Sequence, residues 1–262
     1  MGIADVNLAV NRTPKLSKPA ALPPGARTDI TGGAVKNVIL LSLPDQEYNL
    51  LRPELDAVDL PRQLILHEPG ERIQYAYFPN DGMTSLVVLT GDGRSVEVGL
   101  VGREGMVGAP LAVGLQRGTF RAIMQISGQG MRIRSEVLEE SLSIAPVLRQ
   151  ELSRYTLLHG LQVGQIAACN RLHEIEERLA RWLLMCQDRV DSASLGLTHE
   201  FLAQMLGSGR PTVSIAVGAL ERAGAIENQR GTIKIVNRKQ LEASACECYD
   251  VVQNLNGGLG LK

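Results

Sequence analysis

The hydrophobic pattern of this chain changes character near residue 135. From Gln63 to Arg134 short apolar runs rich in β-branched residues alternate with turn chemistry. The runs predict strands over 63–66, 73–78, 83–89, 95–101, 120–127 and 131–134. The turns fall at Glu68-Pro-Gly70, Pro79-Asn-Asp-Gly82, Thr90-Gly-Asp-Gly93, Gly102 and Gly128-Gln-Gly130. Even spacing of this kind predicts a small antiparallel barrel or jelly roll. Ahead of it, Asn37 to Pro44 reads as a short apolar helix stopped by its proline, and Asp45 to Leu55 as another. Residues 1–34 hold Pro14, Pro19, Pro23 and Pro24 and no hydrophobic period, which predicts a disordered arm.

After residue 135 the period becomes helical. Ser135 to Leu142 predicts a short helix capped by Ser135, with acids near its start. A long helix follows over 146–170. On it Leu148, Leu152, Tyr155, His159, Gln162, Ile166 and Cys169 alternate by four and three, a heptad seam with polar members. A second stripe, Leu158, Leu161 and Ala168, runs beside it. Two stripes call for two partners, here the chain's own barrel and a second copy. Leu148, Leu152, Tyr155, His159, Gln162 and Ile166 are the expected dimer seam. One wide stripe inside a single domain is the other packing the pattern allows. Arg171 to Arg189 predicts one more helix with Ile175, Leu179, Trp182, Leu183 and Cys186 on one face, and Asp191 to Ser194 a linker.

The densest local signals lie between Thr198 and Val236. Thr198 is a good helix N-cap, and Leu197 can staple to Leu202. Leu202, Met205 and Leu206 form an apolar stripe that Gly207 ends, a position suited to a left-handed backbone. Pro211 fits the first turn of a second helix. Val213, Ala216, Val217 and Leu220 give that helix a buried face and leave Arg210, Thr212, Ser214 and Ile215 outward. Glu227-Asn-Gln-Arg-Gly231 then leads into a β-branched run, Thr232-Ile-Lys-Ile-Val236, which reads as a hairpin wing. Two helices on a glycine turn with a wing predict a winged helix-turn-helix. Such a unit lays its second helix in a DNA major groove. An arginine at its start can donate bidentately to guanine O6 and N7.

Composition adjusts this picture. A hydrophobic fraction of 44% and a charged fraction of 21% over 262 residues allow two globular domains. Aromatics at 3% speak against stacking on single-stranded nucleic acid. The net charge of −1 hides a local excess. Arg210, Arg222, Arg230, Lys234, Arg238 and Lys239 face only Glu221 and Glu227 between residues 207 and 240. Neither a membrane-spanning run nor a signal peptide is read, and sparse cysteines fit a reducing, cytoplasmic setting.

A barrel, a long helix and then a winged helix-turn-helix resembles the cyclic-AMP receptor protein/FNR (Crp/Fnr) family of bacterial transcription regulators. The likeness spans about Asn37 to Asn237 and is strongest at Gly207-Ser-Gly-Arg-Pro-Thr-Val213 and the wing. It implies an α+β chain with a disordered arm (1–34), a cyclic-nucleotide-binding-like sensor barrel (35–145), a dimerisation helix (146–170), a winged helix-turn-helix (171–245) and a tail (246–262). It further implies a homodimer on a palindromic operator of double-stranded DNA, contact with RNA polymerase and a small-molecule effector. Arg210, Pro211, Thr212, Ser214 and Ile215 are the expected base-side residues, with Ser208, Arg230 and Lys234 on phosphates.

Two departures from the family matter. Its nucleotide-binding members carry a Gly-Glu-Leu segment and an Arg-Ser or Arg-Thr pair. Here Met106-Val-Gly-Ala-Pro-Leu111 puts Ala109 at the Glu position, and Gly118-Thr-Phe120 stands where the pair belongs. Arg121 lies nearby, turned out of register by strand alternation. Tight cyclic-AMP or cyclic-GMP binding is therefore not expected, and no cofactor is predicted. In the recognition helix, Pro211 and Ile215 replace the charged residues of members that read a GTGA half-site, so a related but different operator is expected.

Other chemistry has weaker support. Iron-sulfur members of the family use N-terminal cysteines, and this chain has none before Cys169. Cys246-Glu-Cys248 is a weak metal or redox spacing by itself, and no metal site is expected. His67 lacks the context of a haem ligand, and His159 reads as a polar seam residue whose protonation would charge the seam. One barrel histidine cannot make a cupin ligand set, so an enzyme is not expected. The reading from another class is a ligand-sensing barrel that acts through protein partners without specific DNA binding.

Overall fold

The computed structural model describes residues 27–190 and 192–257. Most of the expected arm lies outside the described residues. Its last part is structured: β1 (Arg27–Thr28) pairs with β2 (Ala34–Val35). Asp29 organises the loop between them, its Oδ1 accepting from the Thr31 and Gly33 backbone N–H groups at 2.7 and 2.8 Å. The arm expectation is thus corrected over 27–34, because an aspartate-centred turn orders a stretch that has no hydrophobic period.

Helices α1 (Val38–Ser42) and α2 (Asp45–Leu51) follow, then a 3-10 turn over Arg52–Glu54. The next strands are β3 (Asp56–Leu60), β4 (Ile65–His67), β5 (Tyr75–Pro79), β6 (Met83–Leu89), β7 (Ser95–Val101), β8 (Arg121–Ile126) and β9 (Gly128–Arg134). They form two antiparallel sheets rather than a closed barrel, in the orders β3-β9-β5 and β4-β8-β6-β7. This is the jelly-roll arrangement of an α+β chain. Strand β3 was not expected, since Asp-Ala-Val-Asp-Leu is short and acidic; its ladder with β9 supplies the pairing. Gly128 and Gly130 were expected in a turn but lie within β9. Added Cβ atoms there would stand 2.3 Å from the Asp81 carbonyl oxygen and 2.7 Å from that of Phe78. Glycine is needed for close backbone approach, not for a turn.

Helix α3 (Ser135–Ile144) starts at Ser135, the residue expected to cap it, so the cap position falls one residue earlier, on Arg134. Pro146 opens α4 (Pro146–Leu172). His173 and Glu174 break the chain between α4 and α5 (Ile175–Gln187), and Glu174 and Glu177 close a capping box. The rest is β10 (Ser194–Leu195), α6 (His199–Met205), α7 (Arg210–Arg222), β11 (Ile226–Gln229), β12 (Thr232–Ile235), α8 (Arg238–Ser244) and α9 (Cys248–Gly257). Strand β10, which begins in the expected linker, pairs with β12 and widens the wing to three strands. Part of the expected tail is helix α9, whose buried Tyr249 and Val252 join the core.

The seam of α4 faces inward. Leu148, Leu152 and Tyr155 pack with α1, α2 and the first sheet. Ile166 joins the core of the C-terminal half, and His159 and Gln162 are buried as well. This corrects the expected dimer seam: Leu148, Leu152, Tyr155, His159, Gln162 and Ile166 are consumed within the chain. The outward face carries Leu157, Leu161, Gly164 and Ala168 instead.

The largest core crosses from the sheets to the C-terminal half. Met83, Val87 and Leu100 pack with Leu179, Trp182, Leu202 and Val213. Two buried polar links span the same junction. Trp182 Nε1 donates to Glu97 Oε1 at 2.6 Å, and Ser85 donates to the other Glu97 oxygen. Arg189 Nε donates to Glu104 Oε1 at 2.6 Å, with both side chains nearly sealed from water. Burial pushes the Glu97 carboxyl up to about 7, against the downward pull of its hydrogen bonds from Ser85 and Trp182. Among the described residues, no helix is long and apolar enough to cross a membrane.

Candidate nucleic-acid interface

Thr198 caps α6, its Oγ1 accepting from the Phe201 N–H at 3.2 Å. The helix ends in a Schellman motif: Ser208 N donates to Ala203 O at 2.9 Å and Gly207 N to Gln204 O at 3.2 Å. Gly207 has φ +58°, so its backbone is left-handed. It also sits against the sheets, where an added Cβ would lie 3.0 Å from Val96 Cγ2 of β7. The turn that aims α7 therefore rests on the N-terminal half of the chain.

Helix α7 buries Val213, Ala216, Val217 and Leu220. Arg210, Pro211 and Thr212 are exposed at its start, and Ile215 is 71% exposed one turn on. Among the described residues the Arg210 guanidinium has no partner, so it remains available to an outside acceptor. An exposed isoleucine in the middle of a polar face is suited to apolar contact with a thymine methyl.

Ser214 is placed differently from its expected base-side role. Its hydroxyl donates to Arg210 O at 3.0 Å and lies 2.8 Å from His199 Nδ1. Asn228 Nδ2 of β11 stands 3.2 Å from His199 Nε2. The network is consistent with Asn228 donating to His199, which donates to Ser214. It ties the start of α6, the first turn of α7 and the wing into one unit. Neither His199 nor Asn228 was singled out in the sequence; a histidine one residue after the cap gives no local sign of partners 15 and 29 residues away.

The wing hairpin turns through Arg230 (φ +47°) and Gly231 (φ +79°), two left-handed residues in succession. That is the backbone of a two-residue type I′ turn, whose first position usually holds Asn, Asp or Gly. Arginine there is uncommon, and it holds an exposed guanidinium at the wing tip. Lys234 of β12 stands 3.8 Å from Glu227 with both side chains 56% exposed, a pair too open to hold the lysine firmly. Arg238 leaves the basic patch altogether. It binds Asp188 at 2.8 Å, Glu242 at 2.9 Å and the Tyr249 hydroxyl at 2.6 Å, joining α8 to α5 and α9. Ser208 is half-buried beside Arg210 on a cleft shared with Arg94 and Val96 of the β6–β7 hairpin.

Residues 177–244 match the model of the Crp-like helix-turn-helix domain. The fold is similar to FixK2 from Bradyrhizobium japonicum, with TM-score 0.62 and 18% identity over 73% of this chain and 98% of that one. It is also similar to a CRP-family transcriptional regulator from Thermus thermophilus, with TM-score 0.59 and 22% identity over 72% and 96%. A third is CLP from Xanthomonas campestris, described as a c-di-GMP-responsive global regulator, with TM-score 0.57 and 17% identity over 74% and 100%. Residues 177–244 thus form a Crp-like helix-turn-helix domain, on a chain whose fold is that of Crp/Fnr regulators. No curated protein matches it in sequence.

Within this Crp/Fnr-like fold the positions named for cyclic-nucleotide members are occupied as follows. Ala109 opens a 3-10 helix over Ala109–Val113. Arg121 of β8 is held bidentately by Glu68, at 2.8 Å through both Nε and a terminal nitrogen. Leu86, Val101, Val107 and Ala122 form an apolar cluster with Leu66, Tyr77, Val98 and Phe120 packed against it, joining the two sheets.

Proposed function

We propose that this chain is a homodimeric, sequence-specific DNA-binding regulator of transcription of the Crp/Fnr type that reads a palindromic operator with α7. The observation that carries the reading is the outer face of α7. It presents an arginine without a partner and an isoleucine without cover, on a helix fixed by a Schellman turn and a wing. In this role Arg210 reads a guanine, and Pro211, Thr212 and Ile215 line the neighbouring bases. Ser208, Arg230 and Lys234 hold phosphates. Ser214 positions the first turn of α7 rather than touching a base.

The dimer forms through the outward face of α4. Gln150, Arg154, Leu157, Leu161, Gly164, Ala168 and Arg171 repeat by four and three and are all exposed. Gly160 and Gly164 have open space where a Cβ would stand. Glycine inside a helix costs about 1 kcal/mol against alanine, so two here are explained by close approach of a second helix. A two-fold through this face sets the two α7 helices about 34 Å apart, one turn of DNA.

A binding selection from random duplexes tests the reading. The wild type returns a two-fold symmetric site. Arg210→Ala loses about 1–3 kcal/mol on that site and relaxes one base pair in each half. An unchanged preference in the variant, or no enriched site for the wild type, refutes it.

A further inference from the structure

At the C-terminal end of α4, the fold closes a group that the sequence scatters. Cys169 lies in the last turn of α4, and His173 follows four residues later, just past the helix end. Cys246 lies between α8 and α9, and Cys248 opens α9. One ligand atom from each of these four residues lies within 4.8 Å of all the others. Cys169 Sγ stands 3.4 Å from Cys246 Sγ, and Cys248 Sγ 3.6 Å from His173 Nδ1. We propose that Cys169, His173, Cys246 and Cys248 bind a single zinc ion in a closed four-ligand site that clamps the C-terminal segment to the end of α4.

The geometry supports a mononuclear ion. Zinc–sulfur and zinc–nitrogen bonds of about 2.3 and 2.0–2.1 Å put tetrahedral ligand atoms roughly 3.5–3.8 Å apart. The two distances above already lie at or near that spacing. A disulfide between Cys169 and Cys246 would need the sulfurs at about 2.05 Å. A two-iron cluster would spread its two ligand pairs more widely than this set. The three cysteines are buried and form a small core of their own. Three thiolates and a neutral imidazole are the donor set of structural zinc sites, and a filled tetrahedron leaves no position for a reacting water.

The surroundings are those of a ligand set. His173 Nε2 lies 3.2 Å from Glu247 Oε1, which turns Nδ1 toward the sulfurs. Gln165 Nε2, one turn before Cys169 on α4, donates to Cys248 Sγ at 3.0 Å. Binding releases a proton from each thiol, three in all, and leaves the site with one negative charge. The clamp holds α9 against α4 where that helix hands over to α5 and the DNA-reading half. Chelation or thiol oxidation therefore loosens that junction.

The test uses the full chain purified reduced and without chelators. Elemental analysis gives one zinc per chain, and cobalt exchange gives a tetrahedral ligand-field spectrum with thiolate-to-cobalt charge transfer. Cys248→Ser and His173→Ala lose the ion, while Cys186→Ala, a buried cysteine outside the cluster, keeps it. Glu247→Ala leaves all four ligands in place and lowers zinc affinity about 10–100-fold in competition with a chromophoric chelator. Should a ligand variant fail to fold, the cobalt spectrum of the wild type still decides. Folded, metal-free protein without a cobalt spectrum overturns the proposal. So does iron in place of zinc, or a Cys169–Cys246 disulfide in the reduced preparation.

Discussion

Glu97 is the sharpest lever on the junction between the two halves. Its carboxyl is buried between the second sheet and α5, bonded by Ser85 and Trp182. A rise from the ordinary 4.5 to about 7 means that ionising it costs the folded state about 3 kcal/mol more than the unfolded one. The sign follows from linkage. Between 4.5 and about 7 the folded chain keeps a proton that the unfolded chain releases. Stability from this group is therefore present at low pH and is lost as pH rises through the folded value. Glu97→Gln keeps the shape and a hydrogen-bonding amide but cannot ionise. Measured as the difference between variant and wild type, its stabilising effect should grow by about 2–3 kcal/mol from about pH 5 to about pH 8. For a chain of this size that is roughly 5–10 °C in melting temperature. The assay is paired thermal melts across the range, in one buffer series. A difference that stays flat with pH refutes the assignment of a buried, proton-retaining carboxyl.

Three further outcomes are expected. Arg230→Ala and Lys234→Ala weaken binding to all duplexes alike, each lowering the salt slope by about one, as read by fluorescence anisotropy over a salt series; a changed base preference counts against a phosphate role. Leu161→Glu on the outward face of α4 gives a folded monomer by analytical ultracentrifugation with weakened operator binding, and a persistent dimer refutes the proposed face. Burial, joined by the nearby Arg189 charge, pushes His159 down to about 4. Its imidazole therefore stays neutral from about pH 5 upward in an NMR titration. A titration near neutrality would restore it as a pH sensor.

The helix-turn-helix is legible in the sequence because its signals are local. Thr198, Gly207 and Pro211 each act within one turn of their own backbone, and the buried face of α7 repeats at the helical period. The role of each α4 stripe is not legible in the same way. A four-three repeat shows that a face is buried but not whether the partner belongs to the same chain, so the inward seam reads as well for a dimer as for the fold. Strand β3 and the true extent of β9 depend on each other across some seventy residues of chain. Ser214 looks free until His199 and Arg210 O are placed beside it. Cys169 and Cys246 are 77 residues apart, and only the return of α9 to α4 makes them neighbours.

Gly207 and Val96 together have a consequence for how this protein can vary. The residue that sets the angle of α7 is also the residue on which that turn meets β7. A side chain at 207 would have to be accommodated twice, once by the backbone and once by the sheet. Conversely, enlarging Val96 presses on the turn from which α7 starts. Val96 is half-buried on β7, so the geometry of the helix-turn-helix and this face of the sheets are coupled at one contact. If α7 reads DNA as proposed, a substitution in β7 can therefore alter which sites are bound, with no change in α7 itself.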